Sequence, residues 1–223
     1  GEGGEARPQL FSFVQSAAAT TSAGATSLAA AWPAPTTDGD LLVAAVNVWW
    51  HVDVEPITMP VEWTLVARGD GADDPTSLLT TAIYVADGAS QAGDVVVTAG
   101  VDAENRIKLA LVEYGGPLAL AATANDAGET STPTSGAASV DATPALVVAA
   151  IANRAGFSQC APSNGFVDAV ETSSGASTLG VYQFLAVSPG DYGTTVKLRF
   201  DCADPMSEAG EAWASAAAAF SAP

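Results

Sequence analysis

One apolar run dominates the chain. Leu41-Leu42-Val43-Ala44-Ala45-Val46-Asn47-Val48-Trp49-Trp50 lies between the polar turn Asp38-Gly39-Asp40 and His51, the sole histidine. A strand with one wet face alternates apolar and polar residues, so a run this continuous predicts a central strand covered on both faces. A second such run, Ala145-Leu146-Val147-Val148-Ala149-Ala150-Ile151-Ala152, ends at Asn153. Elsewhere, short Val/Leu/Thr/Tyr stretches are separated by Gly, Asp, Pro and Ser about every ten residues, as in a sandwich or barrel. The pattern predicts strands over 9–16, 26–32, 41–49, 62–68, 77–86, 94–99, 105–114, 137–141, 145–152, 165–171, 178–187, 193–200 and 212–220. Helical apolar stripes bounded by caps are scarce, and the fold class is all-β.

Within 105–114, Ile107, Leu109 and Leu111 alternate with Arg106 and Lys108; within 196–200, Val196, Leu198 and Phe200 alternate with Lys197 and Arg199. Both patterns predict half-buried antiparallel strands with the charges outward. In 62–68, Trp63, Leu65 and Ala67 are expected on one face. Ala216-Ala217-Ala218-Ala219-Phe220 suits a helix on propensity. Its place in the order of elements matches that of Leu109–Tyr114, so it is read as a strand.

That order repeats. Leu41–Val46 matches Leu146–Ile151, Tyr84 matches Tyr182, Gly93-Asp94 matches Gly190-Asp191, and Tyr114 matches Phe220, at offsets of 97 to 106 residues. The reading is two pseudo-repeated halves, roughly 26–114 and 137–220, joined by a connector over 115–135. The halves are expected to form one two-sheet antiparallel β-sandwich with a pseudo-twofold relation. Residues 9–223 then form a single domain behind a flexible tail, 1–8.

Composition narrows the partners. With 25 acidic against 7 basic residues and a net charge of −18, the surface repels nucleic-acid phosphates and anionic lipid heads. No segment reaches the roughly 18–20 apolar residues a membrane helix needs. The Gly1-Glu2-Gly3-Gly4-Glu5 start lacks the basic and apolar regions of a signal peptide, implying removal or another export route, as for a virion component. At 48% hydrophobic residues, the chain can build a sizeable core.

Gly39-Asp40-Leu41-Leu42-Val43-Ala44, Pro60-Val61-Glu62-Trp63-Thr64-Leu65-Val66, Ala82-Ile83-Tyr84-Val85-Ala86-Asp87-Gly88 and Ala110-Leu111-Val112-Glu113-Tyr114 together resemble a module of bacteriophage tail and virion-surface proteins. The same module occurs in some secreted bacterial proteins. Glu62 stands where that module usually has Gly before Trp, and Gly115-Gly116 follows Tyr114 in place of Ser-Gly. The resemblance spans roughly 26–220 and implies a jelly-roll-like, lectin-type sandwich with a structural or adhesive role. It carries no catalytic residues across.

Four loops, 50–61, 100–104, 153–164 and 201–211, are expected at one end of the sandwich. Cys160 and Cys202 fall in two of them, which favours one disulfide over two free thiols, and with it an oxidising setting. The same end gathers Trp49, Trp50, His51, Trp63 and Trp213, a candidate platform for stacking sugar rings. Trp63 and Trp213 also fit core packing, and Trp50 and His51 are the better surface candidates. Asp38, Asp40, Asp70, Asp73, Asp74, Asp87 and Asp94 are placed at the opposite end, where Asp70, Asp73 and Asp74 could supply oxygens to calcium. Turn-forming aspartates fit the same residues. Arg68-Gly69-Asp70 spells an integrin tripeptide, too short to carry weight. Nucleophile elbows, phosphate loops and zinc-binding helices are missing, so the chain is read as a non-enzyme.

The expected function is a virion-surface module, a capsid decoration, head-fibre or tail component that assembles with itself or docks on capsid or tail proteins. The alternative is a secreted carbohydrate-binding module that recognises cell-surface glycans through Trp49, Trp50, His51 and Trp213, with calcium as a candidate assisting ion. Either places the protein on a virion surface or outside the cell, with no cofactor beyond that calcium.

Overall fold

The computed structural model describes residues 11–21, 24–51, 57–74, 77–87, 91–99, 106–154, 157–174, 177–204 and 210–223. The side chains of residues 50, 51, 72–74, 77 and 87 lie outside that description. Among the described residues there is no helix, and the ladders of the two large sheets are antiparallel.

The first half supplies β1 (Ser12–Thr20), β2 (Ser27–Ala31), β3 (Leu41–His51), β4 (Ile57–Thr58), β5 (Trp63–Asp74), β6 (Ser77–Asp87), β7 (Asp94–Ala99) and β8 (Arg106–Gly115). The second supplies β9 (Ala119–Thr130), β10 (Ala138–Val140), β11 (Ala145–Arg154), β12 (Ser158–Cys160), β13 (Val167–Ser174), β14 (Ser177–Ala186), β15 (Gly190–Tyr192), β16 (Lys197–Arg199) and β17 (Glu211–Ser221). One large sheet has the order β1-β8-β3-β6-β5, and the other β13-β14-β11-β17-β9. Every described ladder joins strands of the same half.

The two large sheets pack face to face. Val43, Ala45, Ile83, Ala110 and Val112 of one meet Val148, Ala150, Leu179, Val181, Ala216 and Ala218 of the other. Their outward faces are buried too. The small sheet β2-β7-β4 covers Leu42, Ala44, Val46, Leu109 and Leu111. β10 and its surroundings cover Val147, Ala149, Ile151, Ala217 and Ala219. The unbroken apolar runs are explained by this layering: β3 and β11 are central strands with no wet face.

β8 corrects one expectation. Lys108, expected outward, is fully buried, and so is Glu113, because β8 lies between β1 and β3 and is covered on both faces. Lys108 Nζ donates to Thr20 Oγ1 at 3.2 Å and to Ser174 Oγ at 2.9 Å, tying the two large sheets. Glu113 accepts from Gln15 Nε2 at 2.5 Å and from the Thr37 amide at 2.7 Å. Burial, with Arg106 adding to it, lowers the Lys108 pKa to about 8.

Trp63, Leu65 and Ala67 do not share a face. A bulge between Leu65 and Ala67 shifts the register. Trp63 therefore joins the outer core, and Ala67 the core between the large sheets. Phe200, expected inward, is 73% exposed and meets Phe157 edge-on at 4.5 Å, because β16 ends at Arg199. The stretch read as a connector holds β9, a twelve-residue edge strand along β17. The Ala-rich segment of β17 is a strand, buried from Ala212 to Phe220.

Close backbone approach sets the seam between β5 and β17. A Cβ on Gly69 would sit 2.1 Å from the Ser215 carbonyl oxygen, and one on Gly71 2.6 Å from that of Trp213. Side chains also cross the seam: Thr81 Oγ1 donates to the Ala214 carbonyl at 2.9 Å and Asn125 Nδ2 to the Arg68 carbonyl at 2.6 Å.

Candidate functional site

Strand pairing fixes what lies at each end. Trp49 stands opposite Leu79 and Arg106, and Asp74 opposite Ser77, which pairs with His51. Asp70, Asp73 and Asp74 therefore share the end of Trp49, Trp50 and His51, not the opposite one. Trp63 is at the other end, opposite Ala86. Both corrections have one cause. After β3 the chain returns through the outer layer, where β4 pairs with β7, before β5 begins. β5 thus runs the reverse of the expected direction.

At the Trp49 end, the guanidinium carbons of Arg106 and Arg154 lie 5.7 and 5.2 Å from the Trp49 ring centroid. Trp49 is half-buried and its Nε1 has no hydrogen-bond acceptor among the described residues. Two of the seven basic residues thus converge on one indole. Trp213 reaches this end through its pairing with Asn153, but only 4% of it is exposed and its Nε1 donates to Thr130 Oγ1 at 3.1 Å. Trp213 packs the core rather than forming an open platform. The side chains of Trp50 and His51 lie outside the described residues.

Asp70 is already engaged. It accepts from Arg68 Nε at 3.0 Å and from Thr80 Oγ1. The side chains of Asp73 and Asp74, its proposed calcium partners, lie outside the described residues. Among the described residues no group of three or more His, Cys, Asp or Glu could hold a metal ion. Arg68-Gly69-Asp70 lies in β5 with its arginine and aspartate paired 3.0 Å apart and its glycine against β17.

Cys160 and Cys202 form a disulfide, with Cα atoms 5.5 Å apart. It joins β12 to the segment after β16 in the outer layer. Gln159, next to Cys160, anchors that layer to the large sheet. Its Nε2 donates to the Ile151 carbonyl at 3.0 Å, and its Oε1 accepts from the Tyr182 hydroxyl at 2.7 Å.

A different surface went unnoticed in the sequence. At the end away from Trp49, an open cleft of about 190 Å³ lies beside the start of β1. Its wall includes Phe11, Phe13, Tyr114, Leu146, Val167 and Leu185, and none of its lining residues is Asp, Glu, Lys, Arg or His. Phe13, Val14, Val167 and Leu185 around it are 45–55% exposed. Tyr114 is 1% exposed, and its hydroxyl has no partner among the described residues. Burial pushes its pKa up. The available signal was compositional: β1 has no charged residue in a chain of net −18.

No protein-family model, no curated protein and no solved structure matches this chain.

Proposed function

We propose that the protein is a non-enzymatic structural module of a virion surface, a capsid decoration, head-fibre or tail component that assembles with itself or with the particle. The observation that carries this reading is the exposed apolar surface at the start of β1, with Val167 and Leu185 beside it, on a chain otherwise strongly acidic; β1 and β14 carry no charge, and Asp168 and Glu171 of β13 border the surface. Exposed apolar surface of this kind marks contact sites between proteins. The layered β core and disulfide suit a part that bears load outside a cell. The resemblance of the Gly39–Ala44, Pro60–Val66 and Ala110–Tyr114 segments to phage surface modules supplies the particle. Light scattering across concentration tests it: the reading expects association, and a strict monomer at millimolar concentration that binds no particle contradicts it.

The same reading takes the chain as two copies of one strand set that together form one jelly-roll-like sandwich. Support comes from register. Tyr84 pairs with Ala44 as Tyr182 does with Ala149, and Leu41 with Tyr114 as Leu146 does with Phe220. Both tyrosine hydroxyls reach the outer layer, donating to the Ile57 carbonyl and to Gln159.

A second reading, glycan binding at the Trp49 end, is favoured by the convergence of Arg106 and Arg154 on the Trp49 ring. A glycan array with no signal, with and without calcium, contradicts it.

A further inference from the structure

We propose that the free edge of β1 is a self-pairing surface, at which a second copy of this chain adds its own β1 antiparallel and continues the sheet across a two-fold axis at Ser16. The inference rests on the assembly reading above and names its contact.

β1 is the terminal strand of its sheet, with β8 as its one partner among the described residues. Folded proteins usually protect such an edge with charge, proline or a short strand. β1 has none of these protections. It is nine residues long, Ser12-Phe13-Val14-Gln15-Ser16-Ala17-Ala18-Ala19-Thr20, without a charge or proline. The one departure is a bulge between Phe13 and Gln15.

Charge selects this strip for self-contact. Two copies of net charge −18 repel wherever their carboxylates meet. At β1, neither copy brings a charge of its own strand to the contact.

Shape selects the register. β1 is bulky at one end and small at the other: Phe13 and Val14 are each 45% exposed, and Ala17-Ala18-Ala19 follow Ser16. Antiparallel pairing about Ser16 sets Phe13 of each copy against Ala19 of the other, and Val14 against Ala18. The large side chains of one copy meet the small ones of its mate, as an isologous interface requires. The same contact brings the mate over the mouth of the Phe11–Tyr114 cleft and the exposed Val167 and Leu185 beside it. Backbone hydrogen bonds supply the attraction, and the apolar rim adds buried area.

Sedimentation velocity on the full chain tests this, from 10 µM to 1 mM and from 50 mM to 1 M sodium chloride. The expected result is a monomer–dimer equilibrium that tightens with salt, because salt screens the mutual repulsion. Ala18→Glu and Val14→Glu each place carboxylates at the seam at exposed positions, and each weakens the dimer at least tenfold. Val61→Ser, at a fully exposed residue away from β1, leaves it unchanged. A dimer that both glutamate variants leave intact overturns the β1 contact while sparing the assembly reading. A strict monomer under all conditions overturns self-pairing at β1 and leaves docking on a particle as the form of assembly to which the proposed function is reduced.

Discussion

Lys108 shows most sharply how position overrides pattern. A lysine alternating with leucines reads as outward, yet here its ammonium group is buried between the large sheets with two hydroxyl acceptors. Its pKa is lowered to about 8 from 10.5, so between those values the unfolded chain binds the proton more strongly than the folded one. Stability must then rise as pH climbs from about 8, with no contribution to the slope below that. The gain is cut off above pH 10, where the buried Tyr114 and Tyr182, with raised pKa values, favour the unfolded state. Denaturant midpoints measured from pH 7 to 10 are expected to rise for the native chain. In Lys108→Met that rise is lost. Gly69 carries the other residue-scale prediction. Gly69→Ala drives a Cβ into backbone oxygens of Ser215 and Asp126, which cannot rotate away. Overpacking of this kind costs roughly 1–3 kcal/mol, read as a lower urea midpoint.

Among the elements, those with an apolar signature were legible and those without were not. β3, β11 and β17 declare themselves because strands buried on both faces need continuous apolar sequence. β9 stayed hidden because Ala119–Thr130 is an edge strand of small and polar residues, with neither an apolar run nor clean alternation. β4 and β12 are two and three residues long, too short for any period to register. Missing β4 had consequences, since the return of the chain through the outer layer reverses β5 and moves Asp70 to the Trp49 end. The Cys160–Cys202 bond was legible because both cysteines follow strands predicted to end on the same side, although Cys160 itself closes the short strand β12. It spans a sequence separation of 42. In the chain-entropy model, closing a loop of that size contributes about 4 kcal/mol. The double variant Cys160→Ser, Cys202→Ser should lose stability of that order in guanidinium titrations, and loss of less than about 1 kcal/mol would show that the outer layer holds without it.

For the molecule as a whole, the all-β architecture could be read from one sequence because the apolar strands of each half stay within that half. Each half builds its own large sheet, and the two bury their inner faces against each other. The proposed association surface was less legible, because an uncharged strand such as β1 looks the same whether its edge is covered or open. Only the sheet order identifies it as an edge. That edge, as the place where copies meet, is the central claim, and hydrogen–deuterium exchange at low and high protein concentration tests it most directly. Amides of Ser12–Thr20 are predicted to gain protection as concentration rises, while those of the other edge strands β5, β9 and β13 exchange at unchanged rates. Exchange along β1 that is independent of concentration would contradict the claim.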